Sequence, residues 1–342
     1  MILILKSGTT SQSIKDLSSR LEELGFAVEA TVGIDRTVLT AIGEPVIDKY
    51  GAAEQFRAHP SIEKVVFVGK PYRKVSVDSR TTRTLIRVKS AVFGSGELVI
   101  MAGPCTVESE EQVMSTASLL NRLSVPILRG GAYKPSTSPY GFQGLGLSGL
   151  EILRNAAQAY DLAVITEVMD PRKVELVAQF ADILQIGTRN MQNYDLLKEA
   201  ASSNKPILLK RGMSAKIEEW LLAAEYIACA GNEQIILCER GIRSFDGQTR
   251  NTLDLAAVPV SKSLSHLPIV VDPSHGTGRA DLVGPMSLAA VAVGADGLLL
   301  EVHPSPKDAI KDGVQSLSFD AFEALLDRVK SVAKAVSHVT RF

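Results

Sequence analysis

Cys105, His275, Glu301 and Asp312 supply a thiol, an imidazole and two carboxylates, a donor set suited to one divalent transition metal such as Mn, Fe, Co or Zn. Each also has an ordinary structural reading: a small buried thiol, a hydrogen-bonded loop imidazole, a rim charge, and a turn residue ahead of Gly313. Position favours the metal, because Cys105, His275 and Glu301 all follow short apolar segments, LVIMAGPC, PIVVDPSH and GLLLEVH. His303 could join them, or could only order the loop before Pro304. A second group is cationic. Arg129, Lys134, Arg189, Lys210 and Arg240 lie at or just beyond the ends of apolar segments, where a lone arginine would ordinarily be a solvated rim charge. Together, in a chain of formal net charge -1, they point to a substrate carrying carboxylate and phosphate groups, which a guanidinium grips at two points.

The elements that must position these groups recur along the chain. The apolar segments are LVIMAGPC, PILRGG, AVITE, DILQIGTR, PILLKR, IILCER, PIVVDPSH and GLLLEVH. Helical periodicity runs over Glu111 to Leu123, Gly149 to Tyr160, Ala215 to Ala230, Leu282 to Val293 and Phe319 to Val336. Strands alternating with helices predict a parallel sheet, since parallel neighbours need a crossover, and unbroken apolar character predicts burial on both faces. Eight such units fill the roughly 250 residues of a closed (β/α)8 TIM barrel. No GxGxxG follows the first strand, as an open dinucleotide-binding sheet would require. In such a barrel the loops after the strands carry the chemistry, and the polar residues cluster there.

The 342 residues thus divide into a small domain over 1–70, a connecting stretch over 71–95 and the barrel over 96–342. The small domain reads as strand (Ile2 to Leu5), helix (Ser11 to Leu24), two strands (Ala27 to Thr31, Thr37 to Ile42), helix (Asp48 to Ala58) and strand (Ile62 to Val68). This βαββαβ order is that of a ferredoxin-like sandwich. Ile14, Leu17, Leu21 and Leu24 form one stripe of the first helix, with Gly25 placed to end it. The domain reads equally as a packing or oligomerisation module or as a regulatory sensor of a small metabolite. Lys70 to Arg83 reads as a linker, and Leu85 to Phe93 as a hairpin closing the barrel's bottom. Hydrophobic content of 45% supports a sizeable core, near-neutral charge argues against nucleic acid as a partner, and no run reaches membrane-spanning length. Cys105, Cys229 and Cys238 make no disulfide framework or CxxC pair, which suggests a reduced, cytoplasmic compartment.

The stretches AGPCTVES, LRGGAYKPSTSPYGFQGLG, QIGTRNMQN, LLKRG, ILCERGIRSF, TRNTLDL, DPSHGTGRADLV and EVHPSP resemble the type I beta class of 3-deoxy-D-arabino-heptulosonate 7-phosphate (DAHP) synthases, over essentially the whole chain. The resemblance implies condensation of phosphoenolpyruvate with erythrose 4-phosphate at the head of the shikimate route to aromatic amino acids. It implies a metal on Cys105, His275, Glu301 and Asp312, and phosphoenolpyruvate on Arg129, Arg189, Lys210 and Arg240, with Lys134 between the substrates. Ser136, Thr137, Asp272 and Ser274 complete the implied substrate contacts, and Lys134, Glu167 or a metal-bound water would move protons. Relatives with this N-terminal domain are typically homotetramers inhibited by tyrosine or phenylalanine.

The chain departs from that pattern where Lys134, Pro135, Ser136 and Thr137 replace the usual Lys-Pro-Arg-Thr, and again at Gly278, Arg279 and Ala280, where relatives commonly carry two arginines. The arginine lacking at 136 is the one expected to hold the aldose phosphate, and Ser136 could donate only one neutral bond. Either erythrose 4-phosphate binds more weakly, or another cation compensates, or the acceptor aldehyde is different; weak but genuine use of erythrose 4-phosphate is the expectation. The 3-deoxy-octulosonate 8-phosphate synthases share the chemistry but typically have Asn-Arg after the lysine. Lys210 as a Schiff-base lysine and a barrel that only binds metabolites are further alternatives.

Overall fold

In the computed structural model, which describes all but residues 34, 44–48, 67–69, 81, 137 and 340–342, the chain forms two units, Met1–Pro71 and Tyr72–Phe342. The first contains β1 (Ile2–Leu5), α1 (Ser11–Glu23), β2 (Ala27–Val32), β3 (Thr37–Ile42), α2 (Lys49–Arg57) and β4 (Ile62–Val66). Its strands pair antiparallel in the order β2-β3-β1-β4, the ferredoxin-like arrangement. Thr10 Oγ1 accepts from Ser13 N at 3.2 Å to start α1, and Gly25, at φ +91°, ends it in a backbone conformation that glycine adopts without strain. Leu17 and Leu21 are buried in one cluster with Leu3, Leu5, Leu39 and Phe56, against which Ile14 and Leu24 pack. Asp48, expected to begin the second helix, and residues 67 and 68 of the expected last strand lie outside the described residues.

The second unit takes in most of the stretch expected to be a linker. Tyr72 and Val75 are buried in its core, and the Glu225 carboxylate accepts from the backbone N–H groups of Arg73, Lys74 and Val75 at 3.0, 2.9 and 3.1 Å. Burial of two side chains and capture of three amides tie the segment down, which its polar composition does not reveal. An antiparallel hairpin of β5 (Ile86–Val88) and β6 (Ala91–Phe93) follows. Then come the barrel strands β7 (Val99–Gly103), β8 (Ile127–Arg129), β9 (Ala163–Val168), β10 (Ile183–Ile186), β11 (Ile207–Lys210), β12 (Ile235–Glu239), β13 (Ile269–Val271) and β14 (Gly297–Glu301). They form a closed parallel barrel in chain order, with β14 paired to β7. The (β/α)8 architecture is the one read from the sequence.

Outside the barrel lie α3 (Glu110–Arg122), α4 (Leu147–Ala159), α5 (Val174–Phe180), α6 (Tyr194–Ser202), α7 (Ile217–Cys229), α8 (Ala257–Leu264), α9 (Pro273–Thr277), α10 (Ala280–Ala292) and α11 (Phe319–Val339). Periodicity does not single out α5, α6 and α8, which at 7, 9 and 8 residues are too short for the pattern to repeat. Among the described residues no helix is long and apolar enough to cross a membrane.

Successive residues of each barrel strand face opposite ways, and both faces are buried. Ile100, Leu128, Val164 and Leu237 belong to the cluster shared with the helices, whereas Met101, Ile127, Ile165 and Ile236 belong to an inner cluster. That inner cluster also contains Ile86, Val88, Ala91 and Phe93, so the hairpin fills the end of the barrel with apolar side chains. Phe93 is fully buried. Phe93→Ala is expected to lower the unfolding free energy by about 3–5 kcal/mol. The check is a urea titration, in which the midpoint falls at unchanged slope; an unmoved midpoint would mean that the hairpin is not part of the core.

Candidate functional site

Barrel closure sets the first part of the site. β14 pairs with β7 with Glu301 opposite Gly103, which brings the last strand's carboxylate to the same edge as Cys105, two residues past β7. His275 enters from α9, directly after β13, and Asp312 from the loop after β14 in a left-handed conformation at φ +54°. One ligand atom from each of Cys105, His275, Glu301 and Asp312 lies within 4.8 Å of the others. Burial takes His275 down to about 4, outweighing the opposing pull of Asp272 and Glu301, so the imidazole is neutral and has a lone pair to lend. Its Nδ1 donates to Asp272 Oδ2 at 2.7 Å, which leaves Nε2, 3.2 Å from Glu301 Oε1, as the ligating atom. Burial works to raise Glu301, but the basic groups around it, His275, Arg129 and Lys134, hold it well below the usual carboxylate range. Asp312 is also lowered, since Lys134 and the Cys105 hydrogen bond overcome burial and the nearby Glu301 charge. Burial, aided by Glu301, pushes the Cys105 thiol up, and it donates to Asp312 Oδ2 at 3.0 Å. A neutral imidazole, two carboxylates and a thiol that a cation would deprotonate fit a transition-metal ion.

Beside this group is a cavity of about 330 Å³ whose wall includes Lys134, Glu167, Arg189, Lys210, Arg240 and His275. Lys210 closes β11, Arg240 follows β12, and Arg189 lies on a short turn of helix after β10. Burial lowers the Arg240 pKa. Among the described residues, its Nη1 and the Oγ1 of Thr188 on the same wall are buried without a hydrogen-bond partner. A buried polar atom left unpaired costs about 1–3 kcal/mol, so these atoms are placed for a partner that the described residues do not supply. Lys134 stands between the cavity and the metal-competent group, with Nζ 2.5 Å from Cys105 Sγ and 3.5 Å from Asp312. Glu167 faces the cavity near the end of β9, and Gly187 makes room for it, since a Cβ there would come within 2.0 Å of Glu167 Oε1. Gln185 Nε2 donates to Glu167 at 3.2 Å.

Other expected site residues are placed differently. Arg129 Nη1 donates to Glu301 at 2.8 Å and to Pro104 O at 3.0 Å, and the residue lines a smaller recess with Cys105, Lys134 and Glu167 rather than the main cavity. Asp272 and Ser274, expected to touch substrate, are fully buried and absent from the cavity wall. Asp272 is saturated by Lys210 Nζ (2.6 Å), His275 Nδ1 (2.7 Å) and His275 N (2.9 Å), while Ser274 Oγ accepts from Glu301 N at 3.0 Å. Both therefore hold groups that face the site. Ser136 lines the cavity, but its only O–H donates to Phe142 O at 2.6 Å, so it offers a ligand no donor. Thr137 lies outside the described residues. His303 is held by Glu108 at 3.3 Å and Ser305 N at 3.0 Å, apart from the metal-competent group. Glu239 pairs with Arg211 at 3.0 Å, which also reaches Asp254 at 2.8 Å and pins the following loop. The sequence reading does not assign Thr188, Arg250, Lys311 or Gln315. Gln315 donates to Glu301 Oε2 at 2.5 Å, and Arg250 donates to Gln315 at 3.0 Å and to Asp312 at 3.4 Å. Arg250 is signalled only by its place in TRNTLDL; Lys311 and Gln315 have no local signal.

The DAHP synthetase I family matches residues 77–338, and the DAHP synthase ferredoxin-like domain matches residues 1–70. The chain is 50% identical over 336 residues to the phospho-2-dehydro-3-deoxyheptonate aldolase of Thermotoga maritima, covering 98% of each chain. It is 34% identical over 273 residues to the 2-dehydro-3-deoxyphosphooctonate aldolase of Pelobacter propionicus, which spans 75% of this chain and 99% of that one. The crystal structure of phospho-2-dehydro-3-deoxyheptonate aldolase (DAHP synthase) from Thermotoga maritima matches with a TM-score of 0.92 at 50% identity, over 98% of this chain and 97% of that one. With the barrel and the N-terminal domain both matched, the chain belongs to the DAHP synthetase I family.

Proposed function

We propose that this chain condenses phosphoenolpyruvate with erythrose 4-phosphate to give 3-deoxy-D-arabino-heptulosonate 7-phosphate and phosphate, the first step of the shikimate pathway. The observation that carries the reading is a single cavity wall that joins a metal-competent group to cations, one of them a buried arginine with an unpaired donor, with Lys134 between. Arg189, Lys210 and Arg240 would receive the carboxylate and phosphate of phosphoenolpyruvate. Arg129, whose Nε has no partner among the described residues, would add to them from the adjoining recess. Cys105, His275, Glu301 and Asp312 would hold one divalent ion of the Mn, Fe, Co or Zn type, which supplies Lewis-acid polarisation of the aldehyde carbonyl. C3 of the enol then bonds to the aldehyde carbon. Burial works to lower Lys134, but Cys105 and Glu301 more than offset it, so Lys134 is an ammonium placed to give a proton to the new hydroxyl. Water adds at C2, Glu167 is the carboxylate on the wall able to take its proton, and the cations receive the charge of the departing phosphate.

A Schiff base on Lys210 is disfavoured, because that side chain is buried and engaged by Asp272 at 2.6 Å. The octulosonate reading is disfavoured because its representative matches 75% of the chain, whereas the heptonate enzyme matches 98%. Residues 1–70 would be the regulatory domain, binding tyrosine or phenylalanine in a homotetramer, and the enzyme would be cytoplasmic.

Phosphate release from phosphoenolpyruvate is expected with erythrose 4-phosphate, to be abolished by EDTA and restored by a divalent metal; release only with arabinose 5-phosphate would refute the assignment. Asp272→Asn should weaken metal binding about 10- to 100-fold by loosening the His275 ring. A calorimetric metal titration equal to wild type would show that Asp272 does not orient that ligand. Deleting residues 1–71 should leave turnover while removing inhibition by tyrosine or phenylalanine, and a truncated enzyme that is still inhibited would place the sensor in the barrel unit.

A further inference from the structure

Two loops that are remote in sequence share one part of the cavity wall. Ser136 and Ser138 come from the loop between β8 and α4, and Lys311 from the loop after β14. A Cβ built on Gly141 would lie 2.7 Å from Lys311 Nζ and 3.3 Å from both Ser136 Oγ and Ser138 O, so the ammonium and the serine loop face the same small volume. The other cations on the wall are mostly committed. Lys134 is held by Cys105, Lys210 by Asp272, and Arg250 by Gln315 and Asp312. Half-buried Lys311 has no hydrogen bond or ion pair among the described residues, although it borders the cavity. Its neighbour Asp312 belongs to the metal-competent group, so Lys311 stands beside the place where an acceptor aldehyde would be polarised. Ser136 brings neither charge nor a free donor to that wall.

We propose that Lys311 receives the phosphate of the acceptor aldose and thereby selects for a phosphorylated acceptor. This rests on the condensation proposed above. A short aldose with its carbonyl at the metal-competent group must place its phosphate against a nearby wall, and an uncommitted ammonium there supplies a charge-assisted hydrogen bond.

The test is steady-state kinetics of the full chain with Mn²⁺, phosphoenolpyruvate and either erythrose 4-phosphate or unphosphorylated erythrose. Lys311→Met should raise KM for erythrose 4-phosphate about ten- to a hundredfold, as expected for losing one charged hydrogen bond. It should leave KM for phosphoenolpyruvate and the turnover of erythrose unchanged. Gly141→Ala, which keeps the charge but pushes Nζ aside, should raise the same KM less. Adding Ser136→Arg to Lys311→Met should restore it, because both side chains face the Gly141 volume. An unaltered KM for erythrose 4-phosphate, an equal rise for phosphoenolpyruvate, or a double variant as weak as Lys311→Met alone would overturn the proposal. A wild-type protein with no turnover of erythrose 4-phosphate would instead refute the condensation itself, and this inference with it.

Discussion

Asp272 carries a carboxylate at the end of β13 with no exposure to solvent, and the geometry of the site hangs on how that charge is satisfied. Burial alone would favour the neutral acid, but His275 and Lys210 hold Asp272 well below the usual carboxylate range. The same contacts fix the His275 ring through Nδ1 and the Lys210 ammonium through Nζ. A second linkage runs from Glu301 to Arg129 and Gln315, and from Gln315 through Arg250 to Asp312. Breaking a buried pair by removing one partner typically costs about 3–5 kcal/mol, because the other charge is stranded. The linkage is therefore likewise a stability constraint, and it leaves the ligand atoms little freedom to be elsewhere.

The fold separates this polar assembly from the apolar packing that holds the barrel. Inner residues of the strands join the β5–β6 hairpin in one cluster, while the charged groups occupy the strand ends and the loops that follow. Parallel strands make this possible, since every strand delivers its C-terminal end to the same edge. The loops then add what strands cannot, as Asp312 and Lys311 do from a segment that returns over the cavity.

Within the cavity the charges differ in how fully the protein satisfies them. Lys210 is ion-paired inside the protein, whereas among the described residues Arg129, ion-paired through Nη1, and Arg240 each keep a buried nitrogen unpaired and Lys311 has no acceptor. Internal partners hold groups such as Lys210 and Arg129 in place, and at the atoms without partners an anionic ligand would supply the acceptors and offset the cost of holding bare donors. Ser136 falls on the first side of this division, since its hydroxyl is spent on Phe142.

Much of this was legible in the residues. Apolar segments bounded by turn residues located all eight barrel strands, because burial on both faces leaves an uninterrupted apolar run, and strand-helix alternation required parallel order. The types of the metal-competent group and most of the cations could also be read, since each follows a strand whose end must lie at one edge. The short α5, α6 and α8 and the packed stretch from Tyr72 onward could not, because one or two turns carry no repeating pattern and a polar segment can be fastened by a distant carboxylate such as Glu225. Nor could the sequence by itself decide which strand-end groups meet a ligand and which stand behind them. Asp272, Ser274 and Gln315 stand behind groups that face the site, Ser136 spends its hydroxyl on Phe142, and Lys311 borders the cavity. Those outcomes depend on contacts such as Cys105 with Asp312, 207 residues apart, which exist only once the barrel has closed and its last loop has packed against its first.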